Sequence, residues 1–325
     1  MQVNFHGKFE VEAREILTKQ FHDHFRDTAL QGIKVNLYFD FARGSKIDPK
    51  DFNVLLLHEP RSVTPWQYQK HVLSQFQLLI PFSPWRGEIL GTTAWAYHPY
   101  KFSNQTDISG TDRDIWISMI NAAKYSSGVT SNYGLRRQVS KILTEQGINF
   151  RLYGWDWNSA ISDELRRRAF GIRESVLAHE KISWTETLSN LFYKYDSYQN
   201  GIADKSEILQ RSELTLIIEN DSDWITEKLF DAFTFRAVPI YVGPSFEKYL
   251  SGLEKCIIRC EREASAVIGR IKGITPAEVN SKRLEIDKLM SGGTLIKELE
   301  FEQVWKKIGE MVITHISKQK YNYLT

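Results

Sequence analysis

The chain has 325 residues, with 42 Lys and Arg against 40 Asp and Glu, and a net charge of +2 gives no global attraction for nucleic acid. A 42% hydrophobic and 25% charged composition excludes a disordered or fibrous chain, and the length suits two domains of about 150 residues each. No run of about 18 apolar residues offers a membrane-spanning helix, and the first residues lack a signal-peptide core, so a cytoplasmic protein is expected, at most peripheral to the inner face of a membrane.

In chain order, 34–39 (KVNLYF) and 53–57 (NVLLL) read as short buried strands, the second ending in the polar turn His58-Glu59-Pro60. QLLIP, 77–81, is another strand candidate, whereas 85–101, rich in Trp, Tyr, Pro and Gly, reads as loop. A second α/β series opens at 115–123. Helical spacing over 136–146 puts Val139, Ile142 and Leu143 on one face, Gly147 stops the helix, and 149–153 (NFRLY) is a strand. The charged region 161–189 is expected to be helical. A strand over 214–218, a helix over 225–235 and a strand over 238–242 follow, with one more strand over 254–259. Two helices are expected beyond Pro276, the last over about 299–316. This alternation predicts right-handed βαβ units with parallel strands. The expected fold is α/β: two doubly wound Rossmann-like domains facing a cleft, 1–124 and 125–325, with the last helix packing back on the first.

Ligands of open parallel sheets sit beyond the carboxyl ends of the strands. There the segment 214–243 reads LTLIIENDSDWITEKLFDAFTFRAVPIYVG. Its apolar strand stops at Glu219-Asn220, a polar loop follows, and a helix starting near Trp224 buries Ile225, Leu229, Ala232 and Phe233. Glu219, Asn220, Glu227 and Lys228 therefore gather at a strand end and a helix start. Free backbone N–H groups and the positive end of the helix dipole suit a diphosphate there, and Lys228 adds a full charge. Glu227 in the same turn can accept sugar hydroxyls or face a developing cation; without a ligand, its charge would still favour the helix start by about 0.3–1 kcal/mol.

The segment resembles the α-1,3/1,4-fucosyltransferase signature. In that family a strand ends in Glu-Asn-Ser, then come a short loop, Tyr-Ile-Thr-Glu-Lys-Leu, a helix, and Val-Pro-Val with a following Gly. This chain has Glu219-Asn220-Asp221, then Trp224-Ile225-Thr226-Glu227-Lys228-Leu229, then Val238-Pro239-Ile240 and Gly243. Lys205 stands where the family often has a lysine before its strand, and GLRRQVSKIL around Arg136 resembles the family's arginine-led helix before a strand ending in Tyr-Gly, here Tyr153-Gly154. The resemblance covers about 40 residues closely and about 120 loosely. Asp221 for Ser, Trp224 for Tyr, and Ser212-Glu213 for a frequent Tyr-Lys are departures that bear on the donated sugar.

The resemblance implies a two-domain GT-B transferase that takes fucose from GDP-fucose with inversion and adds it to an oligosaccharide or glycan in α-1,3 or α-1,4 linkage. The first domain would bind the acceptor and the second the nucleotide sugar, with no cofactor and no essential divalent metal. Lys228 and Arg136 would meet the diphosphate, with Arg137 in reserve. Asn220 and Glu227 would bind ribose or sugar, Trp224 would pack at the donor, and Lys205, Glu219 and Thr226 would complete the pocket. Inversion needs one base on the acceptor hydroxyl. Glu59 is expected to serve, since Pro60 fixes its backbone direction, and His58 is the alternative with its near-neutral pKa.

Other signals compete. Asp221-Ser222-Asp223 matches the DxD metal mark of GT-A transferases, but Asp223 is also placed to cap the helix that follows. Glu219 and Glu227, eight apart, match the pair of retaining GT-B enzymes. Arg166-Arg167-Arg168 could serve a noncatalytic nucleic-acid or glycan binder, yet Glu164 and Glu174 flank it as on a solvated helix face. Cys256 and Cys260 read as reduced buried thiols, and His22 and His24 have no usable ligand spacing.

Overall fold

The computed structural model describes residues 2–26, 33–102, 112–182, 184, 190, 192–202, 204–291 and 293–324, with side chains to 318. The expected helical positions 183 and 185–189 lie outside these. The chain divides into two compact units, one formed by 1–101 with 297–325 and one by 102–296.

The first unit is a four-stranded parallel sheet in the order β1 (Gln2–Gly7), β2 (Lys34–Phe39), β3 (Phe52–Leu57), β4 (Leu78–Pro81). The central β3 is buried at every position, which is why its sequence reads as a continuous apolar run. Asn4, Asn36 and Asn53 form an amide ladder across β1, β2 and β3, with Asn36 Nδ2 donating to Asn53 Oδ1 at 3.0 Å. Helix α1 (Val11–Phe25) buries Ala13, Leu17, Phe21 and Phe25 at the spacing of one helical face. It packs against the last helix of the chain, where Gln20 Nε2 donates to the Lys306 carbonyl at 2.9 Å. The stretch expected as loop begins with a helix, α2 (Pro84–Leu90). Ser83 Oγ accepts from the Arg86 N–H, Pro84 occupies the first position, and Gly91 at φ +67° ends it.

The second unit is a six-stranded parallel sheet in the order β10-β9-β8-β5-β6-β7. Its strands are β5 (Ile115–Ile120), β6 (Phe150–Tyr153), β7 (Tyr198–Asn200), β8 (Ser212–Ile218), β9 (Val238–Val242) and β10 (Ile258–Arg259). Helices α3 (Tyr133–Glu145), α4 (Ile161–Leu177), α5 (Ser206–Arg211), α6 (Glu227–Thr234), α7 (Ala264–Lys272) and α8 (Pro276–Met290) alternate with them. α9 (Thr294–Leu299) leads the chain back toward the first unit, where α10 (Phe301–Leu324) ends it. Strand order runs outward in one direction from β5 to β7 and in the other from β8 to β10. The reversal between β5 and β8 is a topological switch point.

Two expectations shift. The strand over 254–259 shrinks to Ile258–Arg259, because Ser251–Cys256 forms a 3-10 turn. That turn is pinned by Glu254, which accepts from the Phe246 N–H at 2.9 Å and pairs with Arg259 at 2.7 Å. The helix expected over 225–235 starts later, at Glu227, with Thr226 rather than Asp223 as its N-cap residue. Cys256 and Cys260 are free and buried, and burial raises both thiols to about 11.

Candidate functional site

At the switch point, Asn121 directly follows β5 and Glu219 directly follows β8. Glu219 is fully buried. Its carboxylate turns onto the start of α6, accepting from the Thr226 N–H at 3.1 Å and the Thr226 hydroxyl at 2.7 Å, and the Tyr241 hydroxyl donates to it at 3.4 Å. Burial raises its pKa, while Lys228 and the Thr226 bonds oppose the shift. This carboxylate therefore holds part of the helix terminus that the sequence suggests for an anion.

The cation cluster lies alongside. Lys228 Nζ is 3.3 Å from Thr226 Oγ1 and 3.4 Å from Glu227 Oε1. Lys205, half exposed, is paired with Asp231 and lies 4.0 Å from Glu227 Oε1. Asn121, Lys205, Glu227, Lys228 and Asp231 line one cavity of about 110 Å³, whose floor includes Ile120 and Leu216. Asn121 is 4% exposed, and its Oδ1 has no hydrogen-bond partner. A buried amide oxygen of this kind, beside two ammonium groups, suits a ligand hydroxyl or N–H.

A second layer ties the loops together. Arg136, on the first turn of α3, is buried and donates Nε to the Ile218 carbonyl at 2.7 Å and Nη2 to Asn220 Oδ1 at 2.8 Å. Burial lowers its pKa against the opposing pull of Tyr133, Glu219 and Glu227. Asn132 N–H donates to the Asn220 carbonyl at 3.2 Å, and Thr130 Oγ1 donates to Asp221 Oδ2 at 3.1 Å. Arg262 reaches back to donate to the Ser131 carbonyl at 2.7 Å and to Asn132. The loop after β8 and the entry to α3 are thus one hydrogen-bonded body.

No protein-family model and no curated protein sequence matches the chain. Solved structures do. An α-glucosyltransferase in complex with UDP and a 13-mer DNA containing an A:G mismatch matches with 10% identity over 96% of this chain and 98% of that one, TM-score 0.53. The N-terminal domain of Candida albicans trehalose-6-phosphate phosphatase matches with 10% identity over 95% and 76%, TM-score 0.50. A Rickettsia africae glycosyltransferase matches with 9% identity over 97% and 84%, TM-score 0.48.

The fold class is GT-B.

At such identities the likeness establishes fold and says nothing of substrate. Within the GT-B chain, the sequence-derived residues fall into three groups. Lys205, Glu227 and Lys228 meet at one cavity, and Thr226 and Glu219 form the helix start beside it. Arg136 and Asn220 bond to each other behind the strand end. Arg137 and Trp224 are interior residues. Trp224 is 1% exposed, and the Arg137 guanidinium pairs with Glu164 at 3.0 Å and donates to the Ala123 carbonyl at 2.9 Å. Asn121, Asp231 and Arg262 escaped the sequence reading. Only the strand order marks Asn121, because nothing local distinguishes it from any polar residue after a strand.

Two rival signals change meaning. Asp221 is fully buried and accepts from Thr130 and from the Ser222 N–H, and no cluster of three or more His, Cys, Asp or Glu suited to a metal occurs among the described residues. The arginine run of α4 turns inward. Arg167 and Arg168 pair with the buried Glu164 at 2.9 and 2.8 Å, leaving Arg166 exposed. No helix among the described residues is long and apolar enough to cross a membrane.

In the first unit, the turn His58-Glu59 lies at the carboxyl end of β3, beside Asp40 at the end of β2. Asp40 Oδ1 accepts from the backbone N–H of His58 at 2.9 Å, from that of Glu59 at 3.1 Å and from Gln67 Nε2 at 3.1 Å. Glu59 is half-buried, and its carbonyl accepts from the Tyr68 hydroxyl at 2.7 Å.

Proposed function

We propose that the chain is an inverting glycosyltransferase moving fucose, or a related deoxysugar, from a GDP-sugar to a hydroxyl of an oligosaccharide or glycan. The observation that carries the reading is the convergence of the signature residues Lys205, Glu227 and Lys228 with Asn121 at the β5/β8 switch point, around one cavity. Signature and strand order are independent of each other, and they point to the same few residues.

In this reading Lys228 and Lys205 neutralise the departing diphosphate, the term on which glycosyl transfer most depends when the leaving group carries charge. Glu227 and Asn121 take ribose or sugar hydroxyls. Arg136 acts by holding Asn220 and the end of β8, with Glu219 fixing the start of α6. Trp224 and Arg137 support the pocket from the interior. The first unit binds the acceptor, and the turn after β3 supplies the base. The resemblance points to Glu59 for that role, with His58 beside it. A divalent metal has no assigned part, and the departures at Asp221 and Trp224 leave the sugar as fucose or a close deoxy relative.

The test is a calorimetric titration of GDP into wild-type chain and Lys228→Ala. Loss of one charge-assisted phosphate contact is expected to weaken GDP about 10- to 100-fold, with the melting temperature nearly unchanged because the ammonium is not part of the core. Equal affinity in the two proteins would refute the donor pocket.

A further inference from the structure

The carboxyl end of β6 carries a tryptophan that the fold holds open. Trp155, just past the strand, is 60% exposed, although its backbone is tied to both neighbouring strand ends. The Ala123 N–H donates to the Trp155 carbonyl at 2.9 Å, and the Gly154 N–H donates to the Asn200 carbonyl at 3.1 Å. The turn comes so close to β5 that it needs glycine: Gly154 has φ +122°, and a Cβ there would overlap the Asn121 carbonyl. That carbonyl also accepts from the Trp157 indole N–H at 2.6 Å. The side chain of Trp155 is seated as well. Its benzo end rests against Gly201, where any Cβ would overlap the ring.

A lone exposed tryptophan is ordinary on a protein surface. This one stands at the rim of the donor cavity. β6 pairs with β5, so its end lies about 4.8 Å from the strand end that carries Asn121. The chain leaving Gly201 runs to the same cavity: Ile202 packs on the cluster that holds Ile120, a floor residue, and Lys205 lines the wall. Two ammonium groups and, one strand away, a seated aromatic ring match the two ends of a nucleoside diphosphate, charge at one and a flat π-system at the other. The transferred sugar is bonded to the diphosphate itself, whereas the base is reached only through the ribose. The ring beyond Asn121 therefore suits the base.

We propose that Trp155 is the stacking platform for the nucleobase of the donor, with Gly201 as the positioning residue that lets the indole settle against the chain. The proposal rests on the nucleotide-sugar reading above and extends it from the diphosphate to the base. Every base has a π-face, so the ring supplies affinity more than choice of base. A purine, bicyclic like the indole, covers more of it than a pyrimidine does, and GDP gains more from the platform than UDP.

Calorimetric titration of GDP, UDP and inorganic pyrophosphate into the full chain tests this. Trp155→Ala is expected to weaken GDP about 10- to 100-fold, UDP less, and Trp155→Phe to recover part of the loss. Pyrophosphate, which has no base, is expected to keep its affinity within about twofold. Gly201→Ala should displace the ring and weaken GDP in the wild-type background, yet add little to Trp155→Ala. An equal loss for GDP and pyrophosphate would overturn the proposal, since the ring would then be shaping the pocket instead of meeting a base. Equal effects of Gly201→Ala in both backgrounds would overturn the seat. If Lys228→Ala weakens GDP and Trp155→Ala does not, the donor pocket stands and the platform falls. A chain that binds neither GDP nor pyrophosphate loses both.

Discussion

Both oxygens of Glu219 are spoken for by Thr226, and the side chain has no solvent exposure. Removing it as Glu219→Ala leaves a buried N–H and a hydroxyl without their acceptor, and unfolding free energy is expected to fall by about 3 kcal/mol, read from urea titration. Glu219→Gln keeps an acceptor for the N–H and is expected to cost less than about 1 kcal/mol. The sign of the pH dependence separates the two. A carboxyl whose folded pKa is raised binds its proton more tightly in the folded state, so the stability tied to it falls as pH climbs above the ordinary 4.5 toward the folded value. That decline is expected in wild type and absent in Glu219→Gln; a decline of equal slope in both would place the responsible group elsewhere. At this scale the sequence named Glu219 as part of the site, but its direction was not legible. A carboxylate after a strand can turn toward a ligand or back onto its own helix, and only the coordinates of Thr226, seven residues on, decide.

Among the elements, α4 shows how a charged run can be mostly structural. Its Arg167 and Arg168, with Arg137 from α3, surround Glu164, whose side chain is 8% exposed. Burial by itself raises the Glu164 carboxyl, and the three guanidiniums outweigh it, so its pKa lies below 4.5. A depressed acid contributes stability above its unfolded pKa and loses it as pH falls through the folded value. Glu164→Ala would strand three cations against one another, two of them buried, and is expected to destabilise the fold by about 3–5 kcal/mol at neutral pH. Thermal denaturation checks this, and a change under about 1 kcal/mol would mean the guanidiniums find water or other partners. Strands β2 and β9 and helix α3 were legible because their signals are periodic and local: a buried run, or a face repeating every 3.6 residues. β1 was missed because its burial pattern is half exposed along an edge, and α2 because seven residues are too few for a period, although Ser83-Pro84 carries the capping signal.

For the whole molecule, stereochemistry distinguishes the proposed reaction from its nearest rival. Glu219 and Glu227 have the eight-residue spacing of a retaining pair, yet Glu219 is buried and bonded within the protein while Glu227 lines the cavity. Transfer from GDP-β-L-fucose is therefore expected to give an α-linked product, read as the anomeric proton coupling in NMR. A β product would support retention and rule out the single-base, inverting step.

The sequence by itself determined the α/β class, the extent of most strands, the apolar face of α6 and the segment where a nucleotide sugar would be sought. These follow from side-chain periodicity and from turn and cap chemistry, which act over fewer than about ten residues. Only the tertiary structure decided which strand ends become neighbours. The reversal between β5 and β8 brings Asn121 beside Lys228, and it turns Arg136 onto the Ile218 carbonyl, 82 positions away in the chain. In the first sheet, the pairing of β2 with β3 likewise brings Asp40 beside His58. Such pairings depend on the order in which strands join a sheet, and hydrophobic patterning sets each strand's faces without setting its neighbours.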